Sequence, residues 1–194
     1  MSFEVPVATR RSVTGIPTGR LGIWWVVASE IVIFGGLIVS YTLFRLHHAE
    51  WAHEAAHTSV FLGALNTLIL LSSSFSVVLA HKSIVENRPN DAVKFLKWTI
   101  LGGLGFLVVK SIEYTTEISH GYTLFTSVFW SFYYIMTGLH ATHVVAGMVA
   151  MGIVAQDVKN GKNLQRVEYV GIYWHFVDVV WIFLFPLLYI ASGL

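Results

Sequence analysis

Residues 21–44 read LGIWWVVASEIVIFGGLIVSYTLF, a stretch of 24 residues in which Glu30 is the only charged side chain. As an α-helix this stretch would be about 36 Å long, because each residue adds about 1.5 Å. The hydrocarbon core of a bilayer is about 30 Å thick, so such a helix would cross it. The stretch therefore predicts a membrane-spanning helix.

Four more apolar stretches follow along the chain, separated by short polar connectors. Hydrophobic residues make up 55% of the chain and charged residues only 12%, against roughly a quarter charged in an ordinary globular domain. A chain of this length has too little interior to hide so much apolar surface from water. We therefore expect an all-α integral membrane bundle of five transmembrane helices over residues 21–194, after a polar leader at residues 1–20. The further stretches are Val60–Ala80, Phe95–Tyr114, Val128–Ala155 and Tyr169–Ala191.

Lys and Arg are concentrated at one end of the predicted bundle. Ten of the twelve lie in the leader or around the second and fourth connectors, and only Arg45 and Lys110 lie towards the other end. By the positive-inside rule we expect a cytoplasmic N-terminus and a C-terminus outside. The leader has no apolar core, so we do not interpret it as a cleavable signal peptide. The ten residues are Arg10, Arg11, Arg20, Lys82, Arg88, Lys94, Lys97, Lys159, Lys162 and Arg166.

The overall charge and the absence of cysteine narrow the possible functions. A net charge of +1 gives no reason to expect a nucleic acid partner. Without Cys the chain forms no disulfide, holds no metal through thiolates and has no cysteine nucleophile.

Glu30 lies ten residues into the first span, near the expected middle of the bilayer. A charge at that depth costs at least ~2.5–3.5 kcal/mol. We therefore expect a protonated carboxyl that is hydrogen-bonded to another helix. Its partner could be a hydroxyl, a carbonyl or a histidine, and His140, near the middle of the fourth span, is a candidate from its depth. Two interpretations stay open: a neutral acid with a packing role, or a group that handles protons.

Two pairs of polar residues in the later spans could serve either structure or chemistry. His140 and His143 are one helical turn apart and could hold a metal from one face. No further ligands occur at their depth, so we favour hydrogen bonding between helices. His175 and Asp178 share the same spacing, and we expect them to contact each other and offset the cost of burial. No nucleophile is nearby in the sequence, so structural pairing is preferred over catalysis.

Other polar residues are interpreted as parts of the surface. Lys110, Glu113 and Glu117 are spaced by about one helical turn on the third span, a pattern typical of a charge ladder at the outer membrane interface. The first connector contains four histidines, which we interpret as a solvated loop with no dedicated role. These histidines are His47, His48, His53 and His57.

Small and large side chains predict which faces pack and which meet lipid. Glycines in the third and fourth spans should allow close backbone contact, because small residues let membrane helices approach and gain dispersion energy. Large aromatic side chains are expected to face lipid instead. The glycines are Gly102, Gly103, Gly105 and Gly138, and the aromatic residues are Trp24, Trp174 and Trp181.

Five blocks, in register from residue 22 to the end of the chain, resemble cytochrome c oxidase subunit III, in its short five-helix bacterial form. The last block, residues 173–181 with the sequence YWHFVDVVW, is the most specific of them. One such block could arise by chance, but five in order could not. The other blocks are Ser29-Glu30; Leu65-Asn66-Thr67 with Leu71-Ser72-Ser73 and Ala80-His81; Ile112-Glu113-Tyr114; and Thr137-Gly138-Leu139-His140 with His143-Val144.

The resemblance implies a supporting subunit of a haem–copper oxidase in the bacterial cytoplasmic membrane. Its expected partners are oxidase subunit I, which would carry the haem and copper, other oxidase subunits, and phospholipid held between the helices. It would support proton uptake and sustained turnover, with no catalytic, cofactor or metal site on this chain. The intramembrane glutamate of the family falls on Glu30, and its paired histidines fall on His140 and His143.

Two departures from the family pattern limit what is carried over. Longer members have two further N-terminal helices that form a lipid cleft with the remaining five, and the leader here is too short and polar to supply them. Another subunit would therefore have to provide the second wall of the cleft. Lys110 stands where many members have a neutral polar residue, so no role is transferred to it.

Three alternatives remain beside this interpretation. A subunit of a quinol oxidase or of a nitric oxide reductase complex would share several of the motifs, although Glu30 favours a cytochrome c oxidase. A free-standing proton carrier could use Glu30, His140 and His175, but broken helices in repeated halves are missing. A membrane metalloenzyme would need more carboxylates at matching depth.

Overall fold

The computed structural model describes residues 18–48 and 51–190. These residues form six α-helices and a short π-helix, with no β-strand among them, so the all-α prediction is confirmed. Five segments are long and apolar enough to cross a membrane, the sixth α-helix and the π-helix counting as one segment. The elements are α1 (Thr18–His47), α2 (Trp51–Ala55), α3 (Val60–Val85), α4 (Pro89–Ser119), α5 (Val128–Lys159), α6 (Arg166–Phe185) and the π-helix (Pro186–Ile190).

The helices begin earlier or end later than the apolar spans alone predict. Ser59 and Ser127 cap α3 and α5, each accepting a hydrogen bond from the backbone N–H three residues later, at 3.4 Å and 3.3 Å. α4 begins at Pro89 rather than Phe95, because proline is well suited to the first helical turn, where its missing N–H would have no partner. The short helix α2 was not predicted. Apolar runs mark where a helix crosses lipid, whereas capping residues mark where it ends.

Helices α3, α4, α5 and α6 form a four-helix bundle in which the backbone of each helix packs closely along two of the others. The pairs in contact are α3 with α4, α4 with α5, α5 with α6, and α6 with α3. Helix α1 packs outside this bundle, mainly against α6 and to a lesser extent α5, and it is the least buried of the five spans. We call the end at which α4 and α6 begin the basic end, because Lys94, Lys159 and Arg166 lie there. The predicted leader mostly lies outside the described residues, and α1 already includes Thr18–Arg20.

Close packing between helices occurs at some of the expected glycines. A Cβ atom on Gly102 would lie 2.6 Å from the Cβ of Ser73 on α3, so only glycine allows this approach of α3 and α4. Gly103 and Gly147 both lie against the indole of Trp174, at 2.9 Å and 2.8 Å from a built Cβ. The prediction for Gly138 is wrong, because the nearest neighbouring atom of a built Cβ is the Tyr114 hydroxyl, at 3.8 Å.

The π-helix closes the bundle at the end opposite the basic end. Pro186 has no N–H to donate within the helix, and the chain continues from it with the wider π-helical turn. Tyr189 is fully buried there. Tyr41 of α1 donates a hydrogen bond of 3.2 Å to the carbonyl of Leu187, which ties α1 to this turn.

Candidate functional site

Glu30 and His143 form a hydrogen-bonded pair that joins α1 to α5. Glu30 Oε2 lies 2.9 Å from His143 Nε2, and the two side chains are only 17% and 15% exposed. The expectation that Glu30 is hydrogen-bonded to another helix is confirmed, but its partner is His143 and not the candidate, His140. Residues three apart on a helix differ in direction by about 60°, so only His143 faces α1.

The surroundings of His143 restrict where the proton of this pair resides. His143 Nδ1 lies 2.8 Å from the carbonyl oxygen of Leu139. A carbonyl can only accept, so we assign the Nδ1 proton to this bond. In a neutral imidazole Nε2 then has no hydrogen, and the Glu30 carboxyl must donate. If instead Glu30 is ionised, His143 must be a cation. In both cases one proton lies between Oε2 and Nε2, and the pair is neutral overall.

His140 points away from this pair and into the four-helix bundle. It is fully buried, and neither ring nitrogen has a hydrogen bond to a described residue. Its ring packs edge-on against Phe106, with centroids 5.3 Å apart, and lies 5.2 Å from the ring of Trp181. His140 and His143 therefore face different partners, and the two rings do not present a common metal-binding face in this arrangement.

His175 and Asp178 do not form the expected pair. His175 Nδ1 lies 2.6 Å from Ser74 Oγ on α3, and both carboxyl oxygens of Asp178 are buried without a hydrogen bond to a described residue. The spacing of three residues allowed a contact along α6, but a hydroxyl on the neighbouring helix takes the histidine instead. The predicted direct pairing is therefore wrong.

Lys110 and Glu113 form an ion pair of 3.0 Å inside the bundle, with side chains 3% and 0% exposed. The Lys110 ammonium also donates to the hydroxyls of Tyr133, at 3.0 Å, and Tyr189. Tyr133 in turn donates to the second oxygen of Glu113 at 2.8 Å. All three donors of the ammonium thus have partners, which is the condition under which a buried ion pair is tolerated.

Aromatic rings enclose the same ammonium group. Lys110 Nζ lies 4.6 Å from the ring centroid of Tyr133 and 5.6 Å from that of Trp181. The rings of Tyr114 and Tyr189 lie at 5.1 Å and 5.2 Å. The rings of Tyr133, Tyr114 and Trp181 lie within the range in which the face of an aromatic ring attracts a cation, whereas Tyr189 presents its hydroxyl to the ammonium.

The interpretation of Lys110, Glu113 and Glu117 as a surface charge ladder is therefore wrong. Glu117 is also buried, at 3% exposed, and its Oε2 has no hydrogen bond to a described residue. Two ionisable residues within an apolar span were the signal that could have indicated a buried site. Nothing in the sequence pointed to Tyr133 and Tyr189 as their partners, because both lie on other helical segments far along the chain.

Two of the three expected lipid contacts are inside the protein. Trp24 is 56% exposed and lies on the outer face of α1, but Trp174 and Trp181 are fully buried. Each buried indole N–H donates a hydrogen bond of 3.0 Å to α3, from Trp174 to Ser73 and from Trp181 to Thr67. These bonds satisfy the indole without water, which is why both rings can leave the interface.

Comparison with known proteins shows the family of this chain. The model of the family described as cytochrome c oxidase subunit III matches residues 9–193. Cytochrome c oxidase subunit 3 of Thermostichus vulcanus is 40% identical over 180 residues, covering 89% of this chain and 87% of that protein. Quinol oxidase subunit 3 of Bacillus subtilis is 33% identical over 182 residues, covering 90% and 89%.

A third relative is a longer protein. The heme-copper oxidase subunit I+III of Aeropyrum pernix is 29% identical over 183 residues, which cover 89% of this chain and 22% of that protein. The family model covers nearly the whole chain, and relatives more than 30% identical align over most of it. This multi-pass membrane protein therefore belongs to the cytochrome c oxidase subunit III family of the haem–copper oxidases.

Proposed function

We propose that this chain is the non-catalytic subunit III of a bacterial cytochrome c oxidase, and that the haem and copper are carried by the core subunit. Relatives named cytochrome c oxidase subunit 3 include the one at 40% identity. In the described residues no group of three His, Asp or Glu side chains is arranged to hold a metal ion.

The proposed main partner is oxidase subunit I. In the Aeropyrum pernix relative the name describes subunits I and III as one protein, so the two units lie in one chain there. Helix α1 offers a surface for such a partner, because it covers the bundle on one side only and leaves large apolar side chains exposed. Among these are Trp25, Val32, Val39 and Leu46.

The observation that carries a proton-linked role is the Glu30–His143 bond. The pair shares one proton within a 2.9 Å contact, so moving that proton from the carboxyl to the imidazole needs no rearrangement of the helices. Both side chains keep a small exposed area, through which a neighbouring subunit or water could exchange the proton. We propose that the pair supports proton uptake and sustained turnover by the complex.

A groove between α1, α5 and α6 is proposed to hold phospholipid. It has a volume of about 490 Å³, and its walls are mainly apolar. The basic end is proposed to face the bacterial cytoplasm, in line with the positive-inside rule. The residues that line the groove are Ile23, Ala146, Ala150, Ile153, Val154, Arg166, Tyr169, Val170 and Tyr173.

The proposal is tested on the intact complex, purified in mild detergent from cells that express the wild-type chain or Glu30→Gln. We expect the wild-type chain to co-purify with a haem-containing subunit that oxidises cytochrome c. Gln keeps the shape of Glu but cannot release a proton, so we expect Glu30→Gln to assemble normally and to lose activity faster during turnover. Glu86→Gln, which removes a carboxyl group at an exposed position just after α3, is the matched control.

Three results would count against the proposal. A wild-type chain that purifies alone and colourless would exclude a role in an oxidase complex. A complex that oxidises quinol but not cytochrome c would replace the proposed donor by the one named for the Bacillus subtilis relative. A Glu30→Gln complex with wild-type proton uptake and turnover lifetime would leave Glu30 only a packing role.

A further inference from the structure

At the basic end, arginine and lysine side chains are used differently. Every carboxylate of the described residues at this end is in an ion pair with an arginine. Lys94, Lys97 and Lys159 have no ion pair within the described part of the chain. Their positive charge is therefore available to a ligand. The arginine pairs are Arg20–Glu168, Arg88–Glu86, Arg88–Asp91 and Arg166–Asp157.

These three lysines border two grooves that run along the first half of α4, one on each side of it. The first groove lies between α4 and α5, with Lys97 and Lys159 at its polar end and Ile100 and Gly152 deeper in the span. The second begins beside Lys94 and Lys97. It continues past Trp98 and Leu101 into a groove between α3 and α4 that reaches Gly105. We call the two grooves together the α4 site.

Lys97 stands between the two grooves and lines both. It lies eight residues after Pro89, so its Cα is about 12 Å along the helix axis. Side chains on a helix tilt towards its N-terminus, which for α4 is the basic end. The long lysine side chain can therefore lie along the apolar wall and place its ammonium near the polar end, at the level reached by Lys94 and Lys159.

The deeper parts of the α4 site are suited to hydrocarbon. Trp98 and Leu101 are 57% and 53% exposed on the described surface. No atom of another residue lies within 4 Å of a Cβ built on Gly152, so the groove between α4 and α5 is open there. From Asn90 to Ile100 this groove follows ten residues of α4, about 15 Å of helix axis, which places its far end well inside the hydrocarbon layer.

We propose that the α4 site binds one anionic phospholipid, with its phosphate at Lys97 and Lys159 and one acyl chain in each groove. Three unpaired cations match an anionic headgroup, and Lys94 adds attraction from the side of the second groove. Two apolar grooves that meet at one cationic residue match a molecule with two chains and one headgroup. The α4 site is distinct from the groove between α1, α5 and α6, and the proposal does not depend on the Glu30–His143 pair.

An acidic protein segment fits these features less well. It could pair with the lysines, but its backbone would have to enter the apolar grooves, where unpaired N–H and C=O groups are costly. A lipid places only hydrocarbon there. The cations of the α4 site are lysines, whereas the carboxylates of the protein itself at this end are paired with arginines. A lysine ammonium is carried on a flexible side chain, so it can bind a headgroup that is mobile as well as one that is fixed.

The test measures lipid binding to the purified oxidase complex that contains this chain. Native mass spectrometry would be recorded after delipidation and titration with phosphatidylglycerol or with phosphatidylcholine of the same acyl chains. We expect phosphatidylglycerol to bind more tightly to the wild-type complex. In Lys97→Gln/Lys159→Gln its affinity should fall by about fivefold for each lysine, the factor that corresponds to about 1 kcal/mol per basic residue.

Two further variants separate the site from general charge and from protein contacts. Lys82→Gln/Lys162→Gln removes the same charge at the same end outside the α4 site, and it should retain the preference for phosphatidylglycerol. Gly152→Leu keeps every charge but fills the groove between α4 and α5, and it should weaken binding of both lipids. A photoreactive phosphatidylglycerol with its reactive group on the acyl chain should label residues of the two grooves, such as Ile100 and Leu101.

The proposal would be overturned by equal affinity for the two lipids, or by equal losses in both lysine double variants. Labelling of α1 or α6 but not of the two grooves would place the lipid elsewhere and overturn it as well. Loss of another subunit from the complex in Lys97→Gln/Lys159→Gln, with lipid binding unchanged, would assign the α4 site to a protein partner instead.

Discussion

Lys110 and Glu113 form an ion pair that is almost completely enclosed by protein, and the two aromatic hydroxyls that complete it come from two other helical segments. Tyr133 belongs to α5 and Tyr189 to the π-helix. The pair therefore links α4, α5 and the π-helix through one charged group.

Replacing Lys110 by Met should destabilise the protein strongly. The change leaves Glu113 buried without its cation, and breaking a buried pair in this way costs about 3–5 kcal/mol. Lys110→Met/Glu113→Leu should cost less than the sum of the two single changes, because no charge is left unpaired. Unfolding free energies in mixed detergent micelles would show this, and Lys82→Met, whose side chain is 64% exposed, should have little effect. Additive losses would mean that the two side chains do not interact.

Gly102→Ala should weaken the contact between α3 and α4. The added methyl group would lie 2.6 Å from Ser73 Cβ, and overpacking of this kind costs about 1–3 kcal/mol. Gly36→Ala on α1 is the matched control, because its Cβ would meet no atom within 4 Å. Thermal unfolding of the two variants in the same detergent should give a lower Tm for Gly102→Ala alone. Equal Tm values would contradict the close approach of the two helices.

His175 should be energetically coupled to Ser74 and not to Asp178. The bond from Ser74 Oγ to His175 Nδ1 is 2.6 Å long, and a hydrogen bond of this kind contributes about 0.5–1.5 kcal/mol. A double-mutant cycle with Ser74→Ala and His175→Gln should recover a coupling of that size. The cycle with His175→Gln and Asp178→Asn should be nearly additive. The reverse result would restore the pairing along α6.

The connection between α3 and α4 should become less stable as the pH falls. The hydrogen bond from Arg88 lowers the pKa of Glu86 below its usual value of 4.5. A carboxyl with a lowered pKa stabilises the folded state above its usual pKa, and that stabilisation is lost as the pH falls through the lowered value. The effect should be small, because both side chains are well exposed.

Thermal unfolding as a function of pH measures this dependence. The wild-type protein should be more stable than Arg88→Gln near neutral pH, and the two curves should converge in acid. Added salt should reduce the difference at neutral pH, because it screens exposed charges. A difference that stays constant from neutral pH into acid would show that Arg88 acts through packing and not through Glu86.

The spans were predictable from the sequence because lipid requires long apolar helices, and this requirement appears directly in residues such as those of 21–44. The partners of the polar residues were less predictable. Depth along a span correctly suggested that Glu30 meets a histidine of the fourth span, but rotation about the helix decides between His140 and His143. Likewise, the sequence suggested that Trp174 lies at the membrane interface, because it does not show that Gly103 and Gly147 leave room for its indole inside the bundle.

Contacts between residues of the same helix were also overestimated, because the sequence does not show which side chains of other helices are close. Spacing of three residues indicates that two side chains can meet, but it does not show which groups on neighbouring helices compete for them. Ser74 competes successfully for His175. For Lys110 the spacing gave the right partner, Glu113, and the wrong surroundings, since Tyr133 and Tyr189 enclose the pair. In both cases the contacts depend on side chains of neighbouring helices, and the sequence does not show which of these side chains lie close by.

The position of α1 also has a consequence for how the protein is made. α1 is synthesised first, but its main contacts are with α6 and α5, which are synthesised last. Glu30 and His143 are 113 residues apart in the chain, and at about 5–20 residues per second the ribosome needs roughly 6–23 s to cover that distance. During this interval α1 is in the membrane before its acid has a partner. Helix α1 therefore cannot form its bond to His143 until α5, the fourth membrane span, has been synthesised.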